Sequence, residues 1–315
     1  MSLLALLTAV ACTSPQDSAE PLPTLEPPPP GQGFQVSLTT RAEPYSEIWE
    51  CAIMDIPTDE LAPVNWVEYV QNDGLHHVTL STLGFNTAGT VEPGMYDCND
   101  LYADPEFMEN AVMIFGNQGE GDGEMHLPEG VAAQLPPTLA LIYEVHYVNA
   151  SPDPVDIYSY LNAYTILDSE VESGIWGGQV RDEHINLPGN AEGYSEWTRC
   201  VMNTDVEVLF LASHTHELGV KFEIAHWDGE TVGETFYSND DWHDPKIVQY
   251  EPPMVLPEGQ GYQFTCTWDN PNPDAVTYGL TSTDEMCNLA IVHTPFDMNA
   301  LCEVTETSDG VLWAP

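Results

Sequence analysis

The chain has 315 residues, with 51 acidic side chains against 5 basic ones and a formal net charge of −46. Such a field repels phosphate backbones, so no nucleic-acid partner is expected, and the acid is read as a solvated coat suited to a medium whose salt screens self-repulsion. The length accommodates two domains of ordinary size, and 26 prolines and 23 glycines fit short strands joined by turns better than long helices.

Residues 1–12 hold a short apolar run, Leu3-Leu4-Ala5-Leu6-Leu7, then Ala9-Val10-Ala11-Cys12. Small residues ahead of a cysteine look like a bacterial lipoprotein signal, with Cys12 as the lipidated residue; a plain secretory signal or a misassigned start codon are the alternatives. The run is too short to span a bilayer, so the membrane is expected as a partner only through the lipid. The chain is expected to be exported, at the cell envelope or secreted. Residues 13–34, with Pro27-Pro28-Pro29-Pro30, lack an apolar period and read as a stiff, extended tether.

Strand-like runs then follow at 34–38, 49–54, 77–80, 139–147 and 158–166, each rich in β-branched or aromatic residues and closed by turn formers. The glycine- and acid-rich stretch from about 84 to 130 reads as loops. A second group falls at 180–185, 196–201, 206–216, 220–227, 261–268 and 288–293. The polar stretch 168–178 separates the groups, so domains are expected at 35–168 and 169–303 with a tail at 304–315. The fold class is all-β, two consecutive antiparallel β-sandwiches. Export suits the six cysteines other than Cys12, namely Cys51, Cys98, Cys200, Cys266, Cys287 and Cys302, as structural disulfides. Fifteen pairings are open to them.

Half of the ten histidines fall in short clusters. His214-Thr215-His216 ends an apolar strand, and residues two apart project from one face, so both imidazoles can hold one metal. Met286 would otherwise be read as a core methionine, but it opens the last strand of the same domain and offers a thioether. His76 and His77 are adjacent and would face opposite ways in a regular strand. They can share a metal at a strand end, at a bulge, or with one ring using Nδ1 and the other Nε2. His146 would supply the third nitrogen. Imidazoles with a thioether and no carboxylate suit copper cycling between Cu(I) and Cu(II). Zinc hydrolysis ranks behind, since no His-Glu-x-x-His helix is present.

Taken together, His76-His77-Val78, Glu144-Val145-His146-Tyr147, His214-Thr215-His216-Glu217-Leu218-Gly219 and Thr281-Ser282-Thr283-Asp284-Glu285-Met286-Cys287-Asn288 resemble the copper type II ascorbate-dependent monooxygenases, the family of peptidylglycine α-hydroxylating monooxygenase and dopamine β-monooxygenase. The resemblance spans about residues 40–303. It implies two jelly-roll-like sandwiches facing each other across an open, solvent-filled cleft. One electron-transfer copper would sit on His76, His77 and His146, and a catalytic copper on His214, His216 and Met286. It also implies disulfides Cys51–Cys98, Cys266–Cys287 and Cys200–Cys302. The implied reaction is hydroxylation of a C–H bond of a small molecule with O2 and ascorbate or another one-electron reductant, using two copper ions per chain.

The sequence departs from the peptide-hydroxylating members at Ala212, where they have a substrate-binding arginine, at Ala290, where they have a tyrosine, and at Glu144, where they have a glutamine. Without the arginine a peptide carboxylate should bind poorly, and so few basic residues favour a neutral or cationic substrate. Trp242, Tyr237 and Phe236 are candidates for its pocket or for the core. His126, His184, His226, His243 and His293 carry no implied role. Two other readings are kept: a non-enzymatic copper-binding lipoprotein that has lost its substrate pocket, and an adhesion module with incidental histidines.

Overall fold

The computed structural model describes residues 22–84, 91–104, 107, 110–117, 121–243, 245–281 and 283–310. The apolar run and Cys12 lie outside them. The first half builds β1 (Gly33–Ala42), β2 (Ser46–Asp55), β3 (Ala62–Gln71), β4 (His77–Leu83), β5 (Gly94–Asp97), a short helix α1 (Cys98–Tyr102), β6 (Ala111–Asn117), β7 (Gly123–His126), β8 (Val131–Leu135), β9 (Ala140–Asn149) and β10 (Val155–Thr165). The second half builds β11 (Ser173–Gly174), β12 (Trp176–Arg181), β13 (Asn186–Leu187), β14 (Ala191–Met202), β15 (Val206–His214), β16 (Gly219–Trp227), β17 (Val232–Asn239), β18 (Val248–Leu256), β19 (Gly261–Asn270), β20 (Val276–Thr277), β21 (Asn288–Thr294) and β22 (Cys302–Thr307). The fold is all-β.

One sheet runs β1-β10-β3-β8-β11, with β7 on β3, and faces a second, β5-β2-β9-β4-β6. Alternation drives their packing: Phe34, Val36 and Leu38 point inward from β1 to meet Leu80, Leu141 and Leu161. In the second half, β12-β21-β15-β18 faces β17-β16-β19-β14-β22. There Tyr262, Phe264, Cys266 and Trp268 are buried at every second position of β19, against Leu211, Phe222 and Leu289. Each such side chain contributes about 1.5–3 kcal/mol of burial. The sheets are antiparallel except where Ser173–Gly174 runs parallel to Val131–Ala132.

Several expectations need correction. The stretch 84–130 is not all loop: it carries β5, α1, β6 and β7. The strand expected at 180–185 lies earlier, at Trp176–Arg181, because the Asp182 carboxylate accepts from the His184 N–H at 3.0 Å and from the Thr198 hydroxyl at 2.6 Å, turning the chain. The strand expected at 288–293 is not the last: a further strand, β22, pairs with β14 and runs to Thr307, into the expected tail. The end of the tether is tied down: Gln35 donates to the Leu25 carbonyl at 2.9 Å and Asn162 to that of Glu26 at 2.8 Å. The cleft is not open. Val131 packs with Leu209 and Phe210 of the other half, Met125, Leu127, Ile175 and Val292 add to that cluster, and Gln249 donates to the His126 carbonyl at 3.1 Å.

The structure joins Cys51 to Cys98, Cys200 to Cys302 and Cys266 to Cys287, the pairs that the resemblance implies. Three disulfides fit an oxidising, exported setting. Among the described residues no helix is long and apolar enough to cross a membrane.

Candidate metal centre

The first cluster forms where β4 begins. Asp73-Gly74 makes the turn, with Gly74 at φ +76°, a conformation that favours glycine, and fully buried Leu75 anchors it. His76 therefore precedes the strand and His77 is its first residue, directly opposite His146 on β9. Of the arrangements open to an adjacent pair, this is the strand end. His76, His77 and His146 each offer a ring nitrogen within 4.8 Å of the others. His76 Nδ1 faces His146 Nδ1 at 2.9 Å.

Carboxylates fix the tautomers. His77 Nε2 meets Glu144 Oε1 at 2.8 Å and His146 Nε2 meets Glu47 Oε1 at 2.7 Å. An ionised carboxylate only accepts, so both Nε2 atoms carry the proton and both Nδ1 atoms keep a lone pair. His77 Nδ1 is buried without a hydrogen-bond partner. All three rings thus present Nδ1 inward, and no mixture of ring nitrogens is needed. Burial would raise Glu144, but the hydrogen bond and charge of His77, with the Tyr102 phenol at 2.9 Å, bring its carboxyl below the usual range. Trp49 stacks on Tyr102 at 5.3 Å and lies against His146 at 5.7 Å, walling the cluster from behind.

The second cluster sits on β15 and the turn after it. His214 ends the strand, and a tight turn closed by Gly219 N–H to the His216 carbonyl at 3.0 Å carries His216. A Cβ at position 219 would collide with the Thr215 side chain, so glycine is required for that close approach. The rings of His214 and His216 are 5.2 Å apart. His216 Nδ1 donates to the Asp284 carbonyl at 2.9 Å, which leaves Nε2 with the lone pair. Met286 is buried, and its sulfur accepts from Asn288 Nδ2 at 3.2 Å.

Glu285, fully buried, ties the turn to the methionine. Its carboxylate accepts from the backbone N–H of His216 (3.1 Å), Leu218 (2.8 Å) and Met286 (3.2 Å) and from Trp268 Nε1 (3.0 Å). Burial pushes its carboxyl up to about 7 although four N–H donors pull the other way. Burial also lowers His76, His146 and His214, and brings His216 to about 4, so the imidazoles are neutral and ready to ligate near pH 7.

The two clusters meet. The His76 ring lies 5.4 Å from His216 and 6.2 Å from His214, and His77 lies 6.3 Å from His214. A central cavity of about 460 Å³ adjoins them, lined by Glu144 and Tyr102 on one side and Gln179, Arg181, Tyr278 and Met286 on the other. A smaller apolar cavity of about 140 Å³ opens onto His77 and His214. Its floor follows from strand register: Gln179, Ala290 and Ala212 form one row across β12, β21 and β15, and His214 stands on the same face one row on, beside Asn288 and Arg181. Met113, Met125, Phe210 and Ile247 wall it.

Of the aromatic candidates, Trp242 comes within 5.9 Å of His76, Tyr237 is buried against Ser213, and Phe236 stacks on His226 away from the clusters. Glu47, Tyr102, Arg181 and Glu285 were not singled out from sequence. The one available signal for Glu285 was its place beside Met286. Buried neutral imidazoles, an unpartnered Nδ1, a thioether and carboxylates held outside the ligand set are the donors copper takes, so the residues fit that metal.

No curated protein matches the chain. Among solved structures, the major capsid protein P2 from bacteriophage PM2 is similar at 9% identity, covering 85% of this chain and 100% of that one with a TM-score of 0.36, too weak a likeness to carry an argument. The family model described as copper type II ascorbate-dependent monooxygenase, C-terminal domain, matches residues 181–314, the half that holds His214, His216 and Met286. Residues 181–314 are thus similar to the C-terminal domain of the copper type II ascorbate-dependent monooxygenases.

Proposed function

We propose that the protein is a copper monooxygenase that hydroxylates a C–H bond of a small, neutral, largely apolar molecule, with O2 as oxidant and ascorbate or another one-electron donor as reductant. The balance is RH + O2 + 2 electrons + 2 protons giving ROH + H2O. The reading rests on one juxtaposition: two imidazole clusters, one with a thioether, beside an apolar cavity. Copper, when bound, supplies the one-electron steps and the activation of oxygen. His76, His77 and His146 hold one ion through Nδ1, and Glu47 and Glu144 keep the Nε2 protons in place. His214, His216 through Nε2, and Met286 hold the other, where the soft thioether favours Cu(I).

The substrate class follows from the cavity. Alanines at 212 and 290 offer no charge and no hydrogen bond, and a space of about 140 Å³ compares with the roughly 150 Å³ that accepts a benzene ring in an apolar site. A cation is disfavoured by Arg181, which lines the adjoining cavity and depresses His214 further.

The test is incorporation of label from 18O2 into hydroxylated product, with ascorbate, across small neutral aromatic and aliphatic substrates. Label should appear with the wild type, vanish in Met286→Ala, and require more substrate in Ala212→Phe, which fills the cavity. Unchanged labelling in Met286→Ala would overturn the site assignment. Absence of product from a fully copper-loaded protein would favour copper binding without catalysis.

A further inference from the structure

Arg181 stands apart from the other basic residues. Arg41, Arg199 and Lys221 are each paired with a carboxylate, on Asp156, Glu306 and Glu223, and Lys246 is exposed. Arg181 is half-buried on β12, lines the central cavity of about 460 Å³ and makes no ion pair among the described residues. Its charge reaches across that cavity: burial raises the phenols of Tyr102 and Tyr278, and the guanidinium counters the rise at both. Strand register brings it to the second cluster as well, since Arg181 and His214 flank Asn288 from either side of β21. The Tyr278 hydroxyl is buried beside the guanidinium and completes no hydrogen bond. Glu144 is the opposing charge across the cavity, and it is already engaged, by His77 Nε2 at 2.8 Å and the Tyr102 hydroxyl at 2.9 Å.

A guanidinium without a carboxylate, set in a recess of small-molecule size, is a seat for an anion, and its planar fork suits a carboxylate or an enolate. The apolar molecule to be hydroxylated does not call for it, because Ala212 and Ala290 line the other cavity. The reductant does. Ascorbate is a monoanion near neutral pH with hydroxyls beside its enolate, and in a chain of net charge −46 it needs a local cation to hold it. The central cavity borders His77 of the first cluster and His214, His216 and Met286 of the second, so a donor seated there adjoins either metal position. We propose that the central cavity is the binding site of an anionic enediol reductant of the ascorbate type, with the Arg181 guanidinium on its enolate and the Tyr278 hydroxyl on a neighbouring oxygen. The proposal rests on the copper reading above and deepens it by seating the co-substrate. Each bound monoanion gives one electron, which takes Cu(II) to Cu(I), loses one proton to solvent and leaves as the ascorbyl radical anion. Two such steps supply the two electrons of the overall balance.

The experiment follows loss of the Cu(II) electron paramagnetic resonance signal after rapid anaerobic mixing of the copper-loaded full chain with ascorbate, and separately with the cationic donor hexaammineruthenium(II). Arg181→Gln and Arg181→Lys are compared with the wild type at equal copper content. Reduction by ascorbate should saturate in the wild type, and half-saturation should rise about 10–100-fold in Arg181→Gln and less in Arg181→Lys. Reduction by hexaammineruthenium(II) should not slow in either variant. Calorimetric titration of the metal-free protein with ascorbate should show binding that Arg181→Gln loses. A wild-type rate that stays proportional to ascorbate, with no binding to the metal-free protein, would overturn the proposal and leave the monooxygenase reading standing. Equal slowing with both donors would also overturn it, by placing the effect at the metals. If Arg181→Gln raised the half-saturating concentration of the hydroxylated substrate and left the ascorbate kinetics unchanged, the guanidinium would belong to the substrate and the proposal would fail. A chain that takes up no copper would overturn the copper reading, and ascorbate binding to the metal-free protein would still decide the anion site.

Discussion

Replacing Glu285 by glutamine tests how the second cluster is held. The carboxylate serves four N–H donors, three of them backbone groups of His216, Leu218 and Met286 and one the Trp268 indole, all in a fully buried setting. A glutamine keeps the shape but offers one accepting oxygen, and its NH2 group faces donors. Three of the donors converge on Oε2 and one, the Leu218 N–H, on Oε1, so with the amide oxygen in the Oε2 position one donor loses its acceptor, at about 1–3 kcal/mol, and the variant should be destabilised by about 2 kcal/mol. For a domain of this size that lowers the melting temperature by about 6 °C. Calorimetric unfolding of the metal-free protein reads the stability, and copper titration reads the site: one of two equivalents should weaken. Melting within about 2 °C of wild type, with both coppers bound normally, would refute the role assigned to this carboxylate.

The remaining expectations concern pH, the carboxylates and one disulfide. Burial holds His216 at about 4 against 6.5 in the unfolded chain, so the metal-free fold keeps its full stability above pH 6.5 and loses it as the pH falls towards 4. That is about 3 kcal/mol from His216 alone, with His76, His146 and His214 adding in the same direction and Glu285, held up at about 7, acting the opposite way over pH 5–7, so denaturant unfolding at pH 7 and pH 5 is compared in Glu285→Gln, where a flat profile would be contrary. Glu144→Gln removes the anionic partner of His77 Nε2 and should weaken the first copper about 10–100-fold in a chelator competition; equal affinity would show that the carboxylate is a bystander. Cys266→Ser with Cys287→Ser opens a loop of 21 residues next to Met286, with a loss of about 3 kcal/mol and of copper at the second site. Unaltered copper binding in that variant would show that the disulfide does not position the methionine.

The ligand clusters were legible because their chemistry is local: His214-Thr-His216 needs only a strand's two-residue period, and His76-His77 needs a strand end. β1 and β19, with their alternation, and β9, as a short run buried on both faces, were legible for the same reason. β3 and β18 were not. β3 begins Ala62-Pro63 and mixes Asn65 and Glu68 into a central position, and β18 carries Pro252-Pro253, with one cis bond before Pro252, so each forms only because neighbouring strands supply its partners. Glu47 and Glu285 could not be told from a surface coat of acids, since what distinguishes them is burial and a histidine or N–H donor far along the chain, and Glu144 stood out only as a departure from the family's glutamine. The closing of the two halves over the histidines was likewise invisible, because Val131 and Phe210 read as ordinary core residues of separate domains.

The copper content of purified, dialysed protein, measured beside His76→Ala and His214→Ala, is the most direct measurement. Two coppers per chain, falling to about one in each variant, is the predicted result. Zinc in place of copper, or no metal at all, would contradict the monooxygenase reading and leave the histidines as buried rings without a metal role.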